Sequence, residues 1–161
     1  MEIEKKFLIE SDIEKFLQNL PCKEIFQYYI NIEENEERYR KKDDKFFHTI
    51  KRATSNYLIR EEFEIECSKA EFENNKDRMI GNMIHKLRYN FDLDEGLVAE
   101  IDVFKEQLEG LVLVEVEFKT EEQAVNFTPP SFFGKDVTDD KKYKNKNLIF
   151  LSYINKNLLK I

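Results

Sequence analysis

Glu2, Glu4 and Lys6 stand on alternate residues near the start of the chain, and the same spacing of ionisable groups returns along its length. It recurs in Arg38, Arg40 and Lys42, in Thr49 and Lys51, and in Arg60, Glu62 and Glu64. Lys86 and Arg88, Glu100 and Asp102, and Glu115 and Glu117 complete the series. A period of two places each set on one face of a strand. Carboxylates two residues apart on neighbouring strands form a cluster of hard oxygen donors, which Mg2+ or Mn2+ takes up together with phosphate oxygens and retained water. The basic sets suit a phosphate chain, Arg by paired hydrogen bonds and Lys as a point charge. Both halves serve one ligand, a polyphosphate carrying a divalent cation. Without the cation the acids would repel one another and their pKa values would rise.

A solvated sheet face also carries alternating charge. Two features argue for an interior instead. The pattern recurs on nearly every candidate strand, and Ser and Thr, which a wetted sheet uses freely, are rare on the charged face. Opposite the charges stand Ile3, Phe7, Tyr39, Ile50, Phe63, Ile65, Leu87, Tyr89, Ile101, Val103, Val114, Val116 and Phe118. This apolar face is expected to be buried under helices while the charged faces meet one another.

Eight strands carry these residues, over 1–8, 23–32, 37–42, 46–52, 57–66, 83–93, 97–104 and 111–120. The early ones are separated only by the polar turns EENE, DDK and ATSN, too short for a helical crossover, so the pairing is antiparallel. Ser11 followed by Glu14 forms a capping box ahead of a stripe of Ile13, Phe16, Leu17 and Leu20, and predicts a helix there. The spacing of Phe72, Met79, Ile80 and Met83 predicts another over 68–83, with further helices over 121–126 and 146–161. The expected fold class is all-β-dominated α+β: a closed eight-stranded antiparallel β-barrel with flanking helices.

The whole chain narrows the partners. Its 161 residues fit one domain, 1–161, and 41% hydrophobic content supplies a core. A net charge of -7 argues against nucleic acid and acidic membrane surfaces, and requires any anion site to be concentrated. Cys22 and Cys67 form no CxxC pair, and His48 and His85 are the only histidines, so neither a disulfide scaffold nor a zinc site is expected. The opening MEIEKKFLIE lacks the apolar core of a signal peptide, and no stretch is long enough to span a bilayer; the expected location is the cytoplasm. Lys41, Lys42, Lys141, Lys142, Lys144 and Lys146 read as solvated lysines, the later cluster able to steer an anion. His48 and His85 read as core or surface histidines, and Tyr28, Tyr29, Tyr39 and Tyr89 as packing residues.

Glu2-Ile3-Glu4-Lys5-Lys6 resembles the ExExK signature that opens members of the CYTH superfamily, the triphosphate tunnel metalloenzymes. The resemblance runs on through Arg38-Tyr39-Arg40, Thr49-Ile50-Lys51, Arg60 to Glu64, Lys86 to Tyr89, Glu100 to Phe104 and Leu111 to Glu117. It ends with Gly134 to Thr138 and Tyr143-Lys144-Asn145, and so covers nearly the whole chain in order. It implies a tunnel holding a triphosphate along its axis. Metal ligands would be Glu2, Glu4, Glu115 and Glu117, with Asp102 contributing and Glu62, Glu64 and Glu100 close by. Phosphates would be held by Lys6, Arg38, Arg40, Lys51, Arg60, Lys86, Arg88 and Lys135, the last introduced by the resemblance alone. Glu4, Lys6, Arg40, Lys51 and Glu117 are the expected catalytic residues. The implied activity is metal-dependent hydrolysis of inorganic triphosphate, with adenylate cyclase, hydrolysis of thiamine triphosphate or another small organic triphosphate, and a non-enzymatic binding tunnel as alternatives. Family members often pair through the outside of the barrel, which implies a homodimer. Ser55-Asn56 stands where relatives often place glycine, so the loop there is expected to differ.

Overall fold

The computed structural model describes residues 2–56 and 59–151. Eight strands fold in chain order: β1 (Glu2–Leu8), β2 (Cys22–Asn31), β3 (Asn35–Lys42), β4 (Lys45–Ala53), β5 (Ile59–Cys67), β6 (Ile80–Asp92), β7 (Val98–Phe104) and β8 (Val112–Phe118). They close as β1-β5-β4-β3-β2-β6-β7-β8, every pair antiparallel. Tight connections make sequence neighbours pair, as when Asp43 in the β3–β4 turn takes a positive φ of 54°. Met1, Tyr57 and Leu58 of the expected strands lie outside the described residues.

Because successive side chains alternate, the barrel sorts each strand by parity. Ile3, Phe7, Ile101, Val114, Val116 and Phe118 point outward into a core shared with Leu17 of α1 (Glu14–Leu17), Ala124 of α3 (Glu121–Val125) and Phe133. Tyr28 and Tyr39 pack outward against Phe72 of α2 (Lys69–Asn74). The apolar face is not covered throughout. With α2 lying over β3 and β4, Phe63 and Ile65 on the outside of β5 remain 54% and 65% exposed.

Two expected helices differ. The stretch over 68–83 is helical only to Asn74; a 3-10 turn follows at Lys76–Arg78, and β6 begins at Ile80. Ser68 caps the start, its Oγ accepting the Glu71 N–H at 3.0 Å, but Asn74-Asn75 favour leaving the helix. Ile80 then pairs with Tyr29, so residues whose spacing fits a helical stripe are drawn into the barrel by β2. The capping box at Ser11 does not form, because Asp12 Oδ1 takes the Glu14 N–H at 3.0 Å and the helix is shortened to one turn. Of the helix expected over 146–161, the described part is α4 (Asn145–Leu148) and the turn after it; 152–161 lie outside the described residues.

The barrel is closed at one end by its own chain. There the inward positions become apolar, in Tyr29, Ile84, Phe104 and Leu113, and receive Val137, Tyr143, Leu148 and Ile149 from the C-terminal segment. Backbone bonds seal the contact: Val137 N–H donates to the Lys6 carbonyl at 2.9 Å, and Asn82 N–H to that of Ile149 at 2.7 Å. Gly81 permits the approach, having φ +64° and space that a Cβ could occupy only 2.6 Å from the Ile149 oxygen. Among the described residues no helix is long and apolar enough to cross a membrane.

Candidate active site

Between this plug and the other end lies a cavity of about 180 Å3, lined by inward residues of every strand and almost entirely polar. Strand register distributes its charge unevenly. On β1 and β8, Glu4 lies opposite Glu117 and Lys6 opposite Glu115, while Glu115 also faces Glu100 of β7. Like charges directly opposed destabilise a sheet, so this wall is built at a cost that a cation would remove. Across from it, β3, β4 and β6 present Arg38, Arg40, Lys51, Lys86 and Arg88.

The acids show the strain in their protonation. Burial raises Glu4 to about 8, with Glu115 adding repulsion. Glu2 is raised chiefly by burial against the pull of Lys51, and shares a hydrogen bond with Glu62. Glu117 is raised by burial, then by Glu2 and Glu100. Glu115 behaves oppositely. Burial pushes it up, but Lys6, Arg88, Lys86 and Lys51 outweigh that and hold it well below the usual carboxylate range.

The bases are held by a second layer of acids. Asp102, 1% exposed, accepts from Arg88 Nε at 2.7 Å and Nη2 at 2.9 Å and pairs with Lys86 Nζ at 2.8 Å. Burial lowers Lys86 to about 8 despite that partner. Glu64 accepts from Thr49 Oγ1 at 2.7 Å and from Arg40 Nη2 at 3.3 Å, and lies 3.7 Å from Arg38 Nη2. Lys51 Nζ stands 3.2 Å from Glu2 Oε1, and Arg60 is paired with Glu36. Arg38 Nε and Arg40 Nε remain buried without a hydrogen-bond partner. Such donors are expensive to leave unmet, and an anion in the cavity is the natural acceptor.

Of the residues singled out in the sequence, the cavity gathers Glu2, Glu4, Lys6, Arg38, Arg40, Lys51, Arg60, Glu62, Lys86, Arg88, Glu100, Glu115 and Glu117. Glu64 and Asp102 stand behind its basic wall, bonded to the guanidinium groups there. Lys135 is exposed and outside the lining; its carbonyl, not its amine, is engaged, accepting the Leu8 N–H at 2.9 Å. Alternation cannot register a loop residue. His48 and His85 lie outside the barrel, stacked on Tyr39 and Phe26.

Sequence reasoning missed several lining residues. Lys42, which alternation groups with Arg38 and Arg40 but which also reads as a solvated lysine, joins the cavity. Glu36 precedes Arg38 by two and was legible by the same rule, and Tyr29 lies across from Arg38 on β2. Thr138, Lys144 and Asn145 come from the plug, where no period marks them.

The donor set fits a divalent cation in one respect and requires help in another. Glu2, Glu4, Glu115 and Glu117 share one wall, and Glu2 Oε1 is buried with no hydrogen bond and the Lys51 amine 3.2 Å away. Among the described residues no three His, Cys, Asp or Glu converge enough to hold a metal by themselves. A cation here would need oxygens from elsewhere, as Mg2+ commonly does from substrate phosphate and water.

No family model matches the chain. It is 38% identical over 149 residues to an inorganic triphosphatase of Nitrosomonas europaea, covering 91% of this chain and 95% of that one. It is 37% identical over 158 residues to an inorganic triphosphatase of Acetivibrio thermocellus, with 96% of each covered. The crystal structure of an inorganic triphosphatase superposes with a TM-score of 0.68 at 34% identity, covering 96% of this chain and 97% of that chain. Identity at this level over nearly the full length of both partners, on one barrel, means that the chain belongs to the CYTH superfamily of triphosphate tunnel metalloenzymes, close to the bacterial inorganic triphosphatases.

Proposed function

We propose that this chain, acting as a single domain over 1–161, is a cytoplasmic enzyme that hydrolyses inorganic triphosphate to pyrophosphate and phosphate with Mg2+ or Mn2+. The observation that carries the reading is the opposition of an acidic and a basic wall across one narrow cavity. Its lining is charged or polar, with Tyr29 the one aromatic side chain, which suits a phosphate chain and offers little surface for a purine. That favours inorganic triphosphate over the cyclase reaction, which must enclose adenine and ribose. The two relatives named as inorganic triphosphatases support the same substrate.

In this reading Arg38, Arg40, Lys86 and Arg88 bind the phosphate oxygens, oriented from behind by Glu64 and Asp102. Lys6, Lys51 and Arg60 extend the basic lining. Charge developing on the transferred phosphoryl group is met by cations already in place, which is where such sites gain most of their rate. Glu2, Glu4, Glu115 and Glu117 would hold the metal, which supplies charge neutralisation and Lewis acidity when bound. A carboxylate of this wall that the metal leaves free accepts the proton of the attacking water. The oxygen of that water bonds to the terminal phosphorus, the bridging P–O bond breaks, and pyrophosphate leaves.

The test is phosphate release from inorganic triphosphate, ATP and thiamine triphosphate in parallel, with Mg2+, Mn2+ or chelator, and cyclic AMP measured in the ATP reaction. Fast release from inorganic triphosphate that stops with chelator is the expected result. Cyclic AMP formed without phosphate release would replace the hydrolase by a cyclase.

A further inference from the structure

Two tunnel lysines have no assigned work. Lys42 and Lys144 line the cavity, and among the described residues neither enters an ion pair. Every other lining cation faces a carboxylate, as Lys6 faces Glu115 at 3.6 Å and Lys51 faces Glu2 at 3.2 Å.

Lys144 stands at the closed end. The plug that carries it is fastened to the tunnel wall through Lys6 of β1: Lys6 N–H donates to Thr138 Oγ1 at 3.1 Å and Lys6 Nζ to the Tyr143 carbonyl at 3.0 Å. On the next residue, Asn145 Oδ1 accepts from Lys86 Nζ at 3.4 Å. The buried Tyr143, Leu148 and Ile149 anchor the segment in the apolar end of the barrel. Burial, then the charges of Lys146, Arg60 and Lys6, depress the Lys144 amine. A half-buried cation among cations, with no counterion of its own, gains most when an anion arrives. In a linear polyphosphate the terminal group bears more charge than a bridging one, and is the part that can reach a blind end.

Resting on the triphosphate reading above, we propose that Lys144 is a substrate-binding residue that receives the terminal phosphate at the closed end of the tunnel. The plug is then part of the site. It stops the chain at a fixed depth, and so sets which bridging bond lies against the acids of β1 and β8.

The experiment is titration calorimetry of inorganic triphosphate into metal-free protein, for the natural chain and for Lys144→Gln, Lys144→Arg and Lys142→Gln. Lys142 is on the same segment but exposed, 3.9 Å from Asp140 and outside the cavity. Loss of one charge-assisted contact should raise the Kd of Lys144→Gln by roughly 10-fold or more, with Lys144→Arg restoring most of it. Lys142→Gln should change it by less than about twofold. An unchanged Kd in Lys144→Gln, beside a natural chain that binds, removes Lys144 from the site and leaves the triphosphate reading intact. Equal losses in Lys144→Gln and Lys142→Gln make the effect long-range and also overturn the proposal. A natural chain that neither binds nor hydrolyses triphosphate overturns the reading of the tunnel and this proposal with it.

Discussion

Glu4 links the chemistry of the site to its stability. In the unfolded chain it ionises near 4.5, and in the folded protein burial and Glu115 raise it to about 8. Between these values the folded state holds a proton that the unfolded state has released, so this group makes the metal-free protein less stable as pH rises from about 5 to 8. Melting curves across that window should fall with pH in the natural chain and be flatter in Glu4→Gln, which should also lose metal-dependent turnover. A slope unchanged by the substitution would remove Glu4 as its source. Asp102 is the opposite case. Its carboxylate balances Arg88 and Lys86 together, and it is 1% exposed. Asp102→Asn leaves two buried cations short of a partner and should cost about 3–5 kcal/mol in urea unfolding. A loss below about 1 kcal/mol would mean that water reaches the pair.

At the scale of elements, the contact between β6 and the plug is the one most open to test. Gly81→Ala would force a Cβ against the Ile149 carbonyl at a φ of +64° and should destabilise by about 1–3 kcal/mol. Because the displaced segment bears Lys144 and Asn145, KM for triphosphate should rise as well. Gly110→Ala is the control, since it has φ +102° but nothing within 4 Å of the added carbon. It should lose stability with KM unchanged, and equal KM effects would dissociate the plug from binding. The strands themselves were largely legible. Glu2-Ile3-Glu4 and Glu115-Val116-Glu117 alternate cleanly, and period two survives any tertiary arrangement that keeps one face dry. The region 68–83 was not, because Met79, Ile80 and Met83 satisfy a helical spacing equally well and only pairing with β2 decides between the two.

At the scale of the whole molecule, an interior filled with charge makes the ligand part of the fold. Opposed pairs such as Glu4 and Glu117, and buried donors such as Arg38 Nε, would all be relieved by a metal-bound triphosphate. A ligand at a hundred times its Kd adds about 2.7 kcal/mol, which should raise Tm by about 5–10 °C for a chain of this size. Mg2+ or Mn2+ with a non-hydrolysable triphosphate analogue, followed by calorimetry, checks this. No shift would mean that the cavity is not the binding site.

By itself the sequence determined the eight strands, their antiparallel pairing and the identity of most charges inside, because alternation records which face each residue takes wherever the chain folds. It could not determine what stands behind or beyond those faces. Asp102, expected to contribute to the metal site, is bonded to Arg88 and Lys86. Lys135, introduced by the family resemblance, is exposed and outside the cavity lining, while Lys144, which reads as a solvated lysine, lines the tunnel. Asp102 meets its partners across two neighbouring strands, and the plug is placed by contacts between residues more than a hundred positions apart, such as Lys6 with Thr138 and Tyr143. No local period encodes them; closure of the barrel and insertion of the plug bring them into being.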